Sequence, residues 1–147
     1  MYPVRNSIKA LIVENMKLLC IEKKDNEGKY YILPGGGQEK NETFIETLIR
    51  ECKEEIGARV HVKRLRYIRE YIGKNHEFAK TDDMHQVEFM FECELIDIPD
   101  IEKAHQKDEG QEDIKWVELN GNDRVYPKCL KERLLAKYEG MYWGDIN

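Results

Sequence analysis

The sequence predicts a mixed α/β fold, in which a sheet with both parallel and antiparallel strands lies between helices. Segments with strand patterns precede, separate and follow two segments with helical periodicity. This order favours a mixed sheet covered on both faces. With 147 residues the chain has the size of one domain, so we expect a single domain over 1–147.

The first part of the chain contains three predicted strands. Residues 7–13 and 17–23 are alternating or continuously apolar on either side of a turn at Asn15, and we interpret them as a hairpin. Residues 30–33 form a short strand that stops at a proline. The three glycines at 35–37 predict a turn, whose backbone could approach a phosphate without obstruction by side chains.

Residues 43–56 have the periodicity of an amphipathic helix. Thr43, followed three residues later by Glu46, is the signature of a capping box. Gly57 is placed to end the helix in a left-handed conformation. The apolar face that we expect to be buried comprises Ile45, Leu48, Ile49, Cys52 and Ile56.

Three further strands and a second helix are predicted in the rest of the chain. A polar loop over 97–113 precedes the last of these strands, which contains Trp116. The second helix begins at Pro127 and is closed by Gly140. Residues 141–147 carry no clear pattern. The strands are predicted over 59–72, 86–96 and 114–119.

Composition and charge exclude several classes of function. A net charge of −5 argues against a broad basic surface for duplex nucleic acid or an anionic membrane. No apolar run approaches the ~20 residues that span a bilayer, and no secretory signal is recognisable, so we expect a cytoplasmic protein. The four cysteines form no CxxC pair, which indicates reduced core thiols.

The most informative feature is an acidic stripe on the first predicted helix. Glu51, Glu54 and Glu55 lie on one side of it, and Arg50 is placed to orient Glu54 by a charge-assisted hydrogen bond. Like charges at this spacing cost ~0.2–0.5 kcal/mol per pair, which a divalent cation would reverse. Hard oxygen ligands select Mg²⁺, or Mn²⁺, over zinc. A solvated acidic face is the alternative, but the neighbouring glycine turn favours a site for a metal-bound diphosphate.

The stretch from Gly36 to Ala58 resembles the Nudix box, Gly-x5-Glu-x7-Arg-Glu-U-x-Glu-Glu-x-Gly-U, where U is aliphatic. Cys52 and Ala58 occupy the two U positions. Many members carry glycine where this chain has Asn41, and asparagine is the next best residue in a left-handed conformation. The strand order also resembles the Nudix α/β/α sandwich. The fixed positions of the box are Gly36, Glu42, Arg50, Glu51, Glu54, Glu55 and Gly57.

This resemblance implies Mg²⁺-dependent hydrolysis of a nucleoside diphosphate linked to another moiety. By the resemblance, Glu54 and Glu55 would ligate metal, and Glu51 would ligate metal or position the attacking water. Phosphoryl transfer requires mainly positioning and charge neutralisation, which this residue set can supply. The remaining roles would be orientation of the carboxylates by Arg50, contact with substrate at Gly36 and Gly37, and support of the site by Glu42 and Gly57.

A further carboxylate is expected from the loop before the last strand. Glu109 precedes a glycine and resembles the Glu-Gly-Gln version of this loop in the family. We expect it to ligate metal or act as the base, with Glu112 as the alternative. Residues 82–113 contain twelve acidic residues but only two lysines. This acidic segment could complete a metal cage or could form a solubilising surface.

Several questions about function stay open in the sequence. ADP-ribose, nucleotide sugars and oxidised nucleoside triphosphates are all compatible substrates. A nucleotide-sensing Nudix domain without catalysis is the alternative function, although such domains usually lose box carboxylates and this chain keeps them all. We expect a small nucleotide substrate as partner, no duplex nucleic acid or membrane, and a monomer or homodimer.

Overall fold

A computed structural model describes residues 3–76, 83–104 and 113–147. Short 3₁₀ turns lie at Gly73–Asn75 and Ile101–Lys103. The strands and helices of the described residues are, in chain order, β1 (Arg5–Leu11), β2 (Val13–Glu14), β3 (Lys17–Asp25), β4 (Gly28–Ile32), β5 (Gly35–Gly37), α1 (Phe44–Ile56), β6 (Val60–Ile72), β7 (His85–Leu95), β8 (Asp113–Glu118), α2 (Leu130–Leu135) and β9 (Tyr142–Asp145).

The strands form two sheets, and the larger one is mixed. Its order is β5-β1-β7-β6-β9, with β1 parallel to β7 and β6 parallel to β9, while the β1–β5 and β6–β7 pairs are antiparallel. In the second sheet β2, β4 and β8 all pair antiparallel with β3. The predicted α/β fold with a mixed central sheet is therefore confirmed.

The predicted hairpin at the start of the chain is wrong for most of its length. Only Val13–Glu14 pairs with the start of β3, whereas β1 lies in the other sheet, beside β5 and β7. The chain crosses from one sheet to the other at Ile12, which is buried. The alternation of apolar and polar residues in β1 predicts a strand but does not predict which strand it pairs with. Its partner β7 lies about eighty residues away in the sequence.

The glycine segment is an edge strand, where the sequence predicts a turn. Gly35–Gly37 runs antiparallel to β1, with Ile8 opposite Gly36 and Ser7 opposite Gly37. Consecutive glycines are poor strand formers in isolation. Pairing with β1 on one side and packing against α1 on the other hold the segment extended.

The last part of the chain also differs from the prediction. Helix α2 spans only Leu130–Leu135, and Lys137 has a left-handed backbone with φ of 52°, which prevents the helix from continuing. The segment without a predicted structure contains strand β9, which pairs with β6. Trp143 anchors it, because its ring lies 4.4 Å from that of buried Tyr67.

Two clusters of buried side chains form the core. Helix α1 contributes Leu48, Cys52 and Ile56 to one cluster, and α2 contributes Leu130 to the other. Ile45 was expected in the buried face but is exposed. Phe44, one residue earlier, takes that place by packing 4.4 Å from the ring of Phe89.

Two other expectations concern cysteines and membranes. All four cysteines are free, and burial raises the pKa of the Cys93 thiol to about 12. Cys20 and Cys52 are also buried, whereas Cys129 is only half-buried beside the core. In the described residues, no helix has both the length and the apolar character needed to cross a membrane.

Candidate active site

Helix α1 begins and ends where the local sequence predicts. Thr43 Oγ1 accepts a hydrogen bond from the Glu46 N–H at 3.1 Å, and the Glu46 carboxylate accepts one from the Thr43 N–H at 3.0 Å, which completes the capping box. Gly57 ends the helix with φ of 60°, and any Cβ there would collide with the carbonyl of Asp100. The capping box and Gly57 fix where the helix begins and ends, and therefore which side of it carries the acidic side chains.

The guanidinium of Arg50 lies at the centre of the acidic stripe. Its Nη1 donates to Glu51 at 3.0 Å and to Glu54 at 3.2 Å. Its Nε donates to Glu42 at 2.7 Å, and its Nη2 donates to the carbonyl of Gly37 at 3.2 Å. The Glu42 hydrogen bond is the largest of the effects that raise the pKa of Arg50 above its usual range. A single, permanently charged side chain therefore orients two carboxylates of the stripe.

Glu42 joins the loop before α1 to the helix itself. Besides the two hydrogen bonds from Arg50, its carboxylate accepts one from the Glu39 N–H at 2.9 Å and one from the Thr47 hydroxyl at 2.9 Å. Hydrogen bonding from Arg50 is the main reason that the pKa of Glu42 falls to about 2. These hydrogen bonds connect Glu42 to the loop before α1 and to α1 itself. Glu42 is therefore placed to support the acidic stripe through Arg50.

Two positions of strand β5 have charged side chains packed directly against their backbone, one from the acidic stripe and one from β1. A Cβ at Gly36 would lie 2.5 Å from the carboxyl carbon of Glu51. A Cβ at Gly37 would collide with the guanidinium of Arg5, which comes from the start of β1. The structure thus brings Gly36 and Gly37 against the acidic stripe, as the sequence predicts, and places an arginine beside them.

Glu55 differs from the other two carboxylates of the stripe. The side chains of Glu51 and Glu54 are 13% and 22% exposed, whereas Glu55 is fully buried. Its Oε1 accepts a hydrogen bond from the N–H of Gly35 at 3.0 Å. On the helix Glu55 lies at the edge of the stripe that borders the apolar face. Strand β5 covers it there and shields it from solvent.

The chemistry of these side chains fits a hard cation, although the cage is incomplete. Glu51 and Glu54 share contacts with Arg50, and their side chains are partly exposed. In the described parts of the chain, no three His, Cys, Asp or Glu side chains are arranged to hold a metal ion by themselves. Mg²⁺ commonly binds one or two carboxylates and completes its shell with water and substrate phosphates. The donor set therefore fits Mg²⁺ bound together with a phosphorylated substrate.

The expected carboxylate outside the box cannot be placed. Glu109 and its alternative Glu112 both lie outside the described residues. Three acidic residues of 82–113 pair with basic side chains of strand β6, and a fourth pairs with the residue just before it: Glu88 with Arg69, Glu92 with Arg64 and Arg66, Glu94 with Lys63, and Asp97 with Arg59. These four carboxylates neutralise basic side chains and are not directed at the acidic stripe.

Arg5 is a residue of the site that sequence reasoning missed. It lies about thirty residues before the box, and only the pairing of β1 with β5 brings it to Gly37. Strand pairing between such distant segments leaves no local pattern in the sequence, so nothing near Arg5 marks it as part of the site.

Comparison with known proteins agrees with the motif and the fold. The family model of the NUDIX domain matches residues 4–133. The ADP-ribose pyrophosphatase of Methanocaldococcus jannaschii is 30% identical over 120 residues, which cover 69% of this chain and 68% of that protein.

Solved structures show the same fold at low sequence identity. A NUDIX hydrolase from Nitrosomonas europaea superposes with a TM-score of 0.71 at 16% identity, covering 95% of this chain and 93% of that one. A UDP-X diphosphatase matches with a TM-score of 0.69 at 20% identity, over 99% of this chain and 68% of its own. An ADP-ribose pyrophosphatase from Streptococcus suis matches with a TM-score of 0.64 at 20% identity, over 97% and 98%.

The intact box, the mixed sheet and the family match together define the class of this protein. The chain belongs to the NUDIX family. It is a hydrolase of that family.

Proposed function

We propose that this protein hydrolyses the diphosphate linkage of a nucleoside diphosphate derivative, with ADP-ribose or a nucleotide sugar as substrate and Mg²⁺ as cofactor. The observation that carries the proposal is the Arg50-centred arrangement of Glu51 and Glu54 against the bare backbone of Gly36. The names of the relatives support this substrate class, since they include an ADP-ribose pyrophosphatase and a UDP-X diphosphatase.

In this proposal the residues of the acidic stripe hold the metal. Glu51 and Glu54 would supply ligands from their partly exposed side chains, and Glu109 would add a further ligand or the base that takes a proton from water. Glu55 would become a ligand only when β5 moves and uncovers it, because it is fully buried and accepts a hydrogen bond from Gly35. Bound Mg²⁺, or Mn²⁺, offsets the charge of the diphosphate and lowers the pKa of bound water. Arg50 holds the two partly exposed carboxylates in place, which removes the cost of ordering them when substrate binds.

The backbone of β5 would receive the substrate. The lack of a side chain at Gly36 leaves room for the Glu51 carboxylate, and the lack of one at Gly37 leaves room for the Arg5 guanidinium, so both charged groups lie against this strand where a metal-bound diphosphate would bind. Glu42 and Gly57 support this arrangement from outside, the first through Arg50 and the second by ending α1. The expected partner is a small nucleotide. We also expect the protein to be a monomer or homodimer.

A substrate panel with one matched pair of variants tests the proposal. We expect turnover of ADP-ribose or UDP-glucose in Mg²⁺ to exceed that of an oxidised nucleoside triphosphate, as measured by kcat/KM. Glu54→Gln should lower kcat about 100-fold or more, because a metal-ligand charge is lost. Glu132→Gln, an exposed change on α2, should not.

The alternative, a nucleotide sensor without catalysis, predicts a different result for the same panel. Calorimetry would then show nucleotide binding, while chromatography would show every nucleotide intact after long incubation with Mg²⁺. Near wild-type kcat in Glu54→Gln at saturating Mg²⁺ would contradict the assignment of this residue to the metal.

A further inference from the structure

A cleft beside the glycine strand has no role in the chemistry described so far. It has a volume of about 740 Å³, within the ~300–1,000 Å³ range of small-molecule sites. The start of β1, the loop that follows β5 and the start of β7 form its walls, contributing residues 3–6, 38–40 and 83–85. Two of its lining residues also reach the candidate active site, because the Arg5 guanidinium lies against Gly37 and the Glu39 carboxylate lies 3.9 Å from Arg50 Nη1.

Arg5 connects the cleft to the diphosphate site. Its side chain is exposed, lines the cleft, and occupies the space where a Cβ of Gly37 would lie. Among the described residues Arg5 forms no ion pair, whereas Arg50, Arg64 and Arg69 all have carboxylate partners. An exposed guanidinium without a carboxylate partner in these residues, next to a site for a diphosphate, is suited to bidentate contact with a phosphate oxygen pair.

The rest of the lining suits a sugar better than a nucleobase. Asn6 donates to Gln38 at 3.1 Å, and both amides carry donor and acceptor groups that match hydroxyls. Glu39 and Asp83 add carboxylate acceptors on the same cleft. The described lining contains no Phe, Tyr or Trp, the side chains on which bases usually stack. His85 is the one aromatic side chain of this described lining, and its Nε2 lies 3.2 Å from a carboxylate oxygen of Glu70.

We infer that this cleft binds the non-nucleoside half of the substrate, a phosphorylated sugar, and that Arg5 is a substrate-binding residue that contacts its phosphate. The inference rests on the proposed function, and it specifies which part of the substrate determines how well the enzyme accepts one nucleotide over another. An enzyme built in this way favours nucleoside diphosphate sugars over nucleoside triphosphates, because only the former fill the cleft.

Binding of ribose 5-phosphate, measured by calorimetry without divalent metal, tests the inference independently of turnover. We expect Arg5→Gln to weaken binding about 10- to 100-fold, the usual effect of losing a charge-assisted hydrogen bond. Arg5→Lys should retain part of the affinity. Arg64→Gln, a change of an exposed arginine that lines a different cavity, should bind like the wild-type protein.

Kinetic measurements then distinguish a loss of binding in the cleft from general damage to the active site. Arg5→Gln should raise KM for ADP-ribose with a much smaller change in kcat, and it should raise KM for ATP by less, because ATP has no sugar beyond its phosphates to hold its terminal phosphates in the cleft. Unchanged ribose 5-phosphate affinity in Arg5→Gln, or equal affinity of the wild-type protein for inorganic phosphate, would overturn the inference. Failure to hydrolyse any nucleotide, with Arg5-dependent binding of ribose 5-phosphate intact, would refute the proposed function alone.

Discussion

Asn41 adopts a left-handed backbone conformation, with φ of 74°, immediately before Glu42. This conformation costs a β-branched residue about 1–2 kcal/mol and costs glycine nothing. We therefore expect Asn41→Val to lower the free energy of unfolding by that amount and Asn41→Gly to leave it nearly unchanged, as measured by urea denaturation. Lys40→Val, at the preceding exposed position, is the control and should have little effect. Equal stability of Asn41→Val and Lys40→Val would contradict the prediction.

The low pKa of Glu42 makes part of the stability depend on pH. Its pKa falls from the usual 4.5 to about 2, chiefly because Arg50 donates to it. The stabilisation by ionised Glu42 is therefore complete above about pH 5 and is lost as the pH falls through the range towards 2. We expect the difference in melting temperature between the wild-type protein and Glu42→Gln to shrink over that range. A difference that stays constant between neutral and acid pH would show that ionised Glu42 does not stabilise the fold.

At the scale of residues, contacts between two side chains can be predicted from the sequence when both lie on the same helix or loop. Contacts between distant segments cannot be predicted in this way. The contact of Arg50 with Glu54 follows from four-residue spacing on a helix, and the conformation of Asn41 follows from its place in the loop. The burial of Glu55 and the position of Arg5 could not be predicted. Both depend on β5, whose pairing with β1 is set by the whole sheet.

At the scale of elements, strand β9 shows how a segment without sequence signal can be held firmly. Trp143 is buried against Tyr67 and donates from Nε1 to the carbonyl of Gly140 at 2.9 Å. We expect Trp143→Ala to lower the free energy of unfolding by about 3 kcal/mol or more. Urea denaturation at neutral pH would measure the loss.

The neighbouring residue on the same strand is a matched control for that change. Tyr142 is 63% exposed and its hydroxyl donates to Glu70, so Tyr142→Ala should cost about 1 kcal/mol or less. A larger loss from Tyr142→Ala than from Trp143→Ala would mean that the polar contacts of β9, and not its buried tryptophan, hold it against β6.

The elements that could be predicted are those with strong local signals. Helix α1 has a capping box, an apolar face and a terminal glycine, and its predicted bounds agree with the structure to within one residue. The long strands β6 and β7 also agree closely. By contrast, β5 and β9 have three and four residues, and their extended form is imposed by the neighbouring strands.

At the scale of the whole molecule, metal binding and folding should be coupled. A cation that binds only the folded state at ten times its Kd adds about 1.4 kcal/mol to the free energy of unfolding. We expect Mg²⁺ to raise the melting temperature of the wild-type protein, and to raise that of Glu54→Gln by less. Calorimetry in chelator and in excess Mg²⁺ would measure both shifts, and identical shifts would argue that Glu54 does not bind the metal.

The position of β5 in the larger sheet has a consequence for amide hydrogen exchange. Strand β7 lies between β1 and β6, so its amides should exchange only when the whole sheet opens. Gly36 and Gly37 lie in a three-residue edge strand and can exchange by local fraying. The backbone that we propose contacts the substrate should therefore exchange its amides much faster than the core strands do. Slowing of exchange at these two glycines is the signature by which ligand occupancy could be followed in solution.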